Sequence, residues 1–330
     1  MKIIDKILTC ITVVCVLLAA TACSDENIAS RTPVAALQYG VEDTHLNVNE
    51  SMVLHFTGVA DLVAIYTGDV GHRYEYRDSM ETGMAVNKGL FTYSYSAPGR
   101  FHVVCVASTF DTYEGHNAKT DTCSFYVTVT DDVTDLSQVY TSITPNTYYA
   151  SQISDGSWVL RLPTKQIYNN REINLNAKRQ RINYVIASDS SKVFIDNVAY
   201  SNRTRYDLSK NHLLTVRSYT GNVRNYNLYC LIYPEFLSVT VNGVKGVQTR
   251  DAYDQSKLTY TFNLPNGTDL SNAAIEYKID GDGIFQIDGK VVDSGSMADL
   301  QSSPCAIVRK AAANGEAQAI TNIKLVFNFQ

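Results

Sequence analysis

Tyr93-Ser94-Tyr95-Ser96-Ala97-Pro98-Gly99-Arg100-Phe101-His102-Val103 reads as two strands joined by a turn. Tyr93 and Tyr95 stand two apart before the turn. Phe101, Val103, Cys105 and Ala107 keep that period after it, the spacing at which side chains share one face of a strand. Pro98 presets φ for the first corner of a type II turn and Gly99 supplies the positive φ of the second, so the chain is expected to reverse there.

Runs of the same kind lie on both sides: Met52 to Phe56, Leu62 to Tyr66, Tyr74 to Tyr76, Phe91 to Tyr95 and Ser124 to Val129. His72, Tyr74 and Tyr76 alternate with Arg73, Glu75 and Arg77, which gives that run an aromatic face and a charged face. Gly58, Gly68-Asp69, Gly71 and Asp111 separate the runs. This is the pattern of a small β-sandwich over residues 35–131.

The opening stretch, an aromatic strand, a Pro-Gly turn and an aromatic-x-Val strand, resembles the hallmark of PKD domains. The piece from Glu50 to Asp61, ending Phe56-Thr57-Gly58, fits the start of that family. Ala60-Asp61 through Gly71-His72-Arg73-Tyr74 is similar to PKD-like modules of Bacteroidota lipoproteins. The resemblance covers residues 35–131 and implies a spacer at the base of a larger surface protein.

An acidic connector, Asp131-Asp132-Val133-Thr134-Asp135, follows, and then the chain repeats itself. Ile182-Asn183-Tyr184-Val185-Ile186 returns as Ile275-Glu276-Tyr277-Lys278-Ile279, and Ile195-Asp196-Asn197 as Ile287-Asp288-Gly289. Thr215-Val216-Arg217 returns as Ile307-Val308-Arg309, Leu231-Ile232-Tyr233 as Leu325-Val326-Phe327, and Leu162-Pro163 as Leu264-Pro265. A period this long is domain duplication. Residues 132–233 and 234–330 are therefore expected to be two copies of one sandwich. Thr215 to Tyr233 resembles the closing hairpin of Ig-like or cadherin-like modules in Bacteroidota surface lipoproteins, and this resemblance brings no catalytic residue with it. Thr220-Gly221 and Asn314-Gly315 are read as the turns into each last strand. The final strand runs to Gln330, and no further sorting domain is expected after it. The fold class is thus all-β: tandem sandwiches, one PKD-like and two Ig-like.

At the other end, Lys2 and Lys6 precede an apolar run from Ile7 to Ala20, the layout of a secretory signal. Leu18-Ala19-Ala20-Thr21-Ala22-Cys23 resembles the lipobox of bacterial lipoproteins, which implies removal of residues 1–22 and acylation of Cys23. Ser24-Asp25-Glu26-Asn27 resembles the surface-export signal of Bacteroidota lipoproteins. Residues 23–34 are read as a lipidated, flexible tether with Pro33 near its end. The expected address is the outer membrane, lipid-anchored at the cell surface, with membrane lipid as partner through Cys23.

The whole chain of 330 residues carries net charge -5, and loss of Lys2, Lys6 and Asp5 with the leader makes it -6. No cluster of Lys and Arg offsets this, so nucleic acid is not an expected partner. The short basic run Lys178, Arg179 and Arg181 reads as a solvated turn.

Cysteine usage fits an oxidising envelope compartment. Cys105 and Cys123 sit on two strands joined by a loop near Glu114, and alternation puts Cys105 on one face with Phe101 and Val103 and Cys123 on one with Phe125 and Val127; if both faces are core, a cross-strand disulfide and two inert buried thiols are both open readings. Cys230 and Cys305 read as buried small apolar residues.

No Gly-x-Ser-x-Gly elbow, His-Glu-x-x-His or paired-cysteine metal spacing occurs, and His45, His55, His72, His102, His116 and His212 are scattered. No catalytic site, metal or cofactor is expected. Asp280-Gly281-Asp282-Gly283 starts like a calcium loop, but Ile284 and Val291 fall where oxygen ligands are needed, so it reads as a hairpin turn. Asp78-Ser79-Met80 resembles an O-glycosylation acceptor of Bacteroidota surface proteins.

The candidate ligand residues are Trp158, Tyr148, Tyr149, Tyr168 and Arg171. Aromatic rings pack on the C–H face of a pyranose, and Asn169, Asn170 and Arg171 could hydrogen-bond its hydroxyls. Against this, Trp158, Leu160 and Leu162 share one face, a core pattern. Two functions follow. One is a glycan-capturing lipoprotein, its partners a polysaccharide and an outer-membrane transporter complex for nutrient uptake. The other is a structural or adhesive spacer that binds another protein.

Overall fold

The computed structural model describes residues 31–112, 115–280, 282–301, 305–312 and 315–330. The leader, Cys23, the Ser24-Asp25-Glu26-Asn27 segment, Glu114, Gly281 and Asn314 lie outside them. The chain is all-β and divides into two compact units that meet between Asp131 and Asp132.

The first unit holds β1 (Leu37–Gln38), β2 (His45–Asn47), β3 (Ser51–Phe56), β4 (Leu62–Tyr66), β5 (Met84–Ala85), β6 (Leu90–Ser94), β7 (Gly99–Thr109) and β8 (Lys119–Thr130). One sheet runs β1-β3-β6 and the other β2-β8-β7-β4-β5. Met52 and Leu54 of the first sheet pack with Ile65, Val103, Cys105 and Val127 of the second in one core. Each of these residues is the apolar member of an alternating strand.

Three sequence expectations change here. Gly99 does not take positive φ but opens β7 opposite Val129. The segment between β6 and β7 carries the chain from one sheet to the other, so Pro98 starts a crossover and not a hairpin. Tyr74–Tyr76 is a single 3₁₀ turn and not a strand. Gly68 and Gly71, both at positive φ, turn the chain out of the sheet after Tyr66. Glu81 then accepts the backbone N–H and guanidinium of Arg73, replacing the partners a ladder would have given. The tether also ends earlier than its expected boundary at residue 34. Arg31 pairs with Asp61, its carbonyl accepts Thr109 Oγ1 at 2.8 Å, and Val34 bridges Val59.

The second unit begins with β9 (Leu136–Ile143), β10 (Asn146–Tyr149), β11 (Ser151–Ser154), β12 (Ser157–Leu162), β13 (Lys165–Tyr168), β14 (Arg171–Asn174), β15 (Asn183–Ile186), β16 (Lys192–Ile195), β17 (Val198–Ala199), β18 (His212–Arg217) and β19 (Val223–Ile232). It continues with β20 (Phe236–Val241), β21 (Val244–Lys245), β22 (Val247–Arg250), β23 (Lys257–Leu264), β24 (Ala273–Ile279), β25 (Ile284–Ile287), β26 (Lys290–Val291), β27 (Ser296–Ala298), β28 (Ala306–Ala311) and β29 (Gln318–Phe329).

Both halves are built alike. The sheet β11-β12-β19-β18-β16-β17 has its counterpart in β22-β23-β29-β28-β25-β26, and in each the second strand runs parallel to the last. The opposing sheets are β10-β9-β15 and β21-β20-β24-β27. The repeated Ile-Asp-x has a physical reason. Ile195 and Ile287 are buried, while Asp196 and Asp288 turn the chain at positive φ and accept the N–H of Leu213 and Cys305 at 3.0 and 2.9 Å. Each half has its own core, one around Leu160, Ile195 and Val216, the other around Phe262, Phe285 and Val308.

Two features break the symmetry: β27 has no counterpart in the first half, and the β13–β14 hairpin has none in the second. Leu162 and Leu264 are 102 residues apart but Ile182 and Ile275 only 93, and the first half places the β13–β14 hairpin in that interval. β24 and β25 belong to different sheets, so they do not pair as the hairpin expected around Asp280-Gly281-Asp282-Gly283, of which Gly281 lies outside the described residues.

Candidate functional site

The two halves of the second unit share a seam. On β12 and β19 the inward residues, among them Trp158, Leu160, Leu228 and Cys230, fill the first core, and the outward Val159, Tyr229 and Leu231 pack on Ala312, Ala317 and Ala319 of the second half. Alanine has no side chain beyond Cβ, so the backbones approach closely and these two strands are buried on both faces. Polar contacts fix the alignment. Tyr229 Oη donates to Glu316 at 2.8 Å and Arg161 Nε to the Gln318 carbonyl at 2.7 Å.

Beside the seam an ionic cluster bridges the halves. Arg250, whose side chain is 1% exposed, reaches Glu235 at 2.6 Å and Glu172 of the inserted hairpin at 3.0 Å, while Lys165 reaches Glu172 at 3.2 Å. Burial pushes the Glu172 carboxyl up, but hydrogen bonds from Arg250 and Lys165 outweigh it and hold the group below the ordinary carboxylate range. Arg250 Nη1 also donates to the Gln255 carbonyl at 3.0 Å. That bond anchors the loop from Asp251 to Ser256, whose turn is closed by Asp251 Oδ1 accepting the N–H groups of Tyr253 and Asp254 at 2.8 Å each.

This loop and the edge of the first half enclose a cleft of about 370 Å³, within the range of small-ligand sites. Tyr148, Tyr149, Arg161 and Tyr233 line one side, and Tyr253 and Asp254 the other. Tyr149 is 57% exposed and Tyr253 99%, so both rings are open to a ligand. Tyr148 is half-buried and held by its hydroxyl, which lies 2.9 Å from Gln166 Oε1 and 3.2 Å from Gln255 Oε1. Burial raises the phenol pKa of Tyr148 and Tyr233, so both stay neutral donors and acceptors at physiological pH.

The sequence-predicted ligand residues are divided by the fold. Tyr148 and Tyr149 line the cleft. Trp158 does not; it is 6% exposed in the first core, with its indole N–H buried and unpartnered, so it cannot serve as a ligand platform. Tyr168 and Arg171 face each other at the end of the β13–β14 hairpin, on either side of Asn169-Asn170, and do not line the cleft. Sequence reasoning missed Arg161, Tyr233, Tyr253 and Asp254. Arg161 carried a signal, as the polar residue between core-facing Leu160 and Leu162. Tyr253 carried another, a lone aromatic inside the polar run Asp251-Ala252-Tyr253-Asp254-Gln255-Ser256.

In the first unit Cys105 and Cys123 stand directly opposite each other across β7 and β8, as free thiols. Burial pushes Cys105 up to about 12 and raises Cys123 as well. Cys230 is buried and likewise pushed up to about 12. Cys305, expected to be buried, is exposed just ahead of β28. Among the described residues no three His, Cys, Asp or Glu side chains form a metal-holding group, and no helix is long and apolar enough to cross a membrane.

No protein-family model matches the chain, and no curated protein sequence matches it. Among solved structures it is similar to the protocadherin GammaB4 extracellular domain, at 10% identity and a TM-score of 0.21, covering 89% of this chain and 51% of that one. The chain therefore spans about half the length of that structure. It is also similar to the N-terminal four Ig domains of Dscam1 isoform 6.44, at 12% identity and a TM-score of 0.20, covering 90% and 74%. A third is the titin I-band fragment I67-I69, at 11% identity and a TM-score of 0.21, covering 91% and 100%.

Proposed function

We propose that this chain is a non-enzymatic, lipid-anchored binding protein of the outer-membrane surface, which captures a polysaccharide beside a nutrient-uptake system. The observation that supports the reading is the cleft between the two halves, which exposed Tyr149 and Tyr253 line together with polar Asn146, Arg161, Asp254 and Gln255. Sugar rings use both features, the C–H face against an aromatic ring and the hydroxyls against fixed donors and acceptors. The PKD-like first unit serves as the spacer between Cys23 and the binding unit.

The test is calorimetric titration of the chain lacking residues 1–22 with a panel of polysaccharides, repeated on Tyr149→Ala and Tyr253→Ala. Both rings are exposed, so the variants should fold as the parent does while losing about tenfold in affinity, a stacking contribution of about 1.4 kcal/mol. Parent-like affinity in both variants, or no binding by any polysaccharide, removes the cleft from consideration.

A structural or adhesive role is the second reading. Val198 and Val291, on the edge strands β17 and β26, are 61% and 58% exposed, a feature that strand addition by a partner protein could use.

A further inference from the structure

We infer that the ligand of the cleft is an acidic polysaccharide, one whose pyranose rings carry carboxylates, and that Arg161 binds that carboxylate; the inference rests on the cleft being the binding site.

Among the residues that line the cleft, Arg161 is the one cation and Asp254 the one anion. Arg250 and Lys165 are matched by Glu172 and Glu235 in the bridging cluster, which sums to zero. Asp254 lines the cleft, but its Oδ2 is 2.9 Å from Lys257 Nζ, and its Oδ1 accepts the backbone N–H of Ser256 at 3.1 Å and its hydroxyl at 2.5 Å. Those hydrogen bonds, the Ser256 hydroxyl first, hold the Asp254 carboxyl below its ordinary range and engage it with its own loop. Asp251 does not line the cleft, and its Oδ1 is turned onto the N–H groups of Tyr253 and Asp254.

Arg161 is what remains. Among the described residues it forms no ion pair, and its hydrogen bond within the protein is Nε to the Gln318 carbonyl. A guanidinium has five N–H donors in one plane, so this bond fixes the plane and leaves the two terminal NH₂ groups as a fork. A carboxylate accepts such a fork through two parallel charge-assisted hydrogen bonds. Arg161 lies on β12 next to Val159 of the seam, so its base is held by packing while its head faces the cleft with Tyr149 and Tyr233. The chain as a whole is negative, at -5, and attraction to a polyanion is therefore local, screened beyond about 8 Å at physiological ionic strength.

The test sets polygalacturonate, alginate and hyaluronan against the carboxyl-reduced, neutral form of each, in titrations of the same chain and of Arg161→Gln and Arg161→Lys. The expected result is that at least one acidic polysaccharide binds about tenfold or more tightly than its reduced form. That preference should collapse in Arg161→Gln and shrink in Arg161→Lys, which keeps the charge but loses the fork. Circular dichroism melting of both variants separates loss of binding from loss of fold. Equal binding of acidic and reduced forms overturns the inference and leaves the cleft reading standing. An acid preference that persists in Arg161→Gln overturns the assignment to Arg161. A sulfated galactan that binds Arg161 as tightly as the best uronate overturns the choice of carboxylate. If no polysaccharide binds, acidic or neutral, the cleft reading fails together with the inference.

Discussion

Arg250 Nε of one repeat stands 3.0 Å from Glu172 Oε1 of the other, and the arginine side chain is 1% exposed. Two duplicated sandwiches are thus fastened by a buried cation from one half and a hairpin that the other half alone possesses. Loss of Arg250 leaves Glu235, 7% exposed, without its charge partner. Arg250→Met should therefore destabilise the second unit by about 3 kcal/mol or more in urea unfolding. Glu172→Gln, at a third exposed, should cost under about 1 kcal/mol. Equal losses in the two variants would show that the cluster does not carry the asymmetry its burial implies.

Acid should loosen the same junction. The Glu172 carboxyl is held below its ordinary value, so its stabilising contribution is complete above the unfolded value of about 4.3 and disappears as pH falls through the lower, folded value. Asp254 is shifted in the same direction. The urea midpoint of the second unit should be flat from pH ~7 to ~5 and fall below pH ~4. In Glu172→Gln that fall should be shallower, and an unchanged slope would exclude Glu172 as its source.

Trp158 gives a direct optical check of its placement. Its emission should be blue-shifted, resist acrylamide and ignore any ligand that enters the cleft, because the ring lies in the core. Trp158→Ala should cost about 3–5 kcal/mol through the cavity it leaves. Trp158→Phe should cost much less, since it keeps most of the apolar volume and removes an indole N–H that is buried without a partner. A red-shifted, quenchable emission would place the ring outside the core.

Thiol reactivity should sort the cysteines of the described chain. Alkylation requires the thiolate and access to it. Cys305 is exposed and should react with iodoacetamide in the native protein, whereas Cys105 and Cys230, buried and pushed up to about 12, should react after unfolding. Mass spectrometry of labelled peptides reads both. Native labelling of Cys105 ahead of Cys305 would contradict the buried sheet position.

Two glycines of the β4–β5 connection should differ in tolerance. Gly68 and Gly71 both have positive φ, but a Cβ on Gly68 would come within 2.6 Å of the His102 carbonyl oxygen, while one on Gly71 would meet open space. Gly71→Ala should cost about 1 kcal/mol through backbone strain alone. Gly68→Ala should cost clearly more, read as a lower urea midpoint for the first unit.

Strand positions were legible because burial on one face writes a two-residue period into the chain. Met52 and Leu54, Phe101 to Ala107, and the repeated Ile-Asp turn all stand where alternation puts them. Pro98-Gly99 was misread because a turn signal states that the chain bends, not which strand it next pairs with. Tyr74 to Tyr76 was misread because alternation over three residues is also compatible with one 3₁₀ turn, and the ion pair between Arg73 and Glu81 that holds the loop joins residues far apart in the pattern. Trp158 was legible as core from its partners Leu160 and Leu162.

The sequence by itself determined an all-β chain with a duplicated second half, since local periodicity and self-similarity need no knowledge of contacts. Only the tertiary structure decided that the two copies lock into one body with a cleft beside their junction. Arg161 and Gln318, Tyr148 and Gln255, and Glu172 and Arg250 are separated by 157, 107 and 78 residues, and nothing in the neighbourhood of any one of them names its partner. A site assembled from two domains depends on how their surfaces dock, and that is set by the packing of Val159, Tyr229 and Leu231 against three alanines.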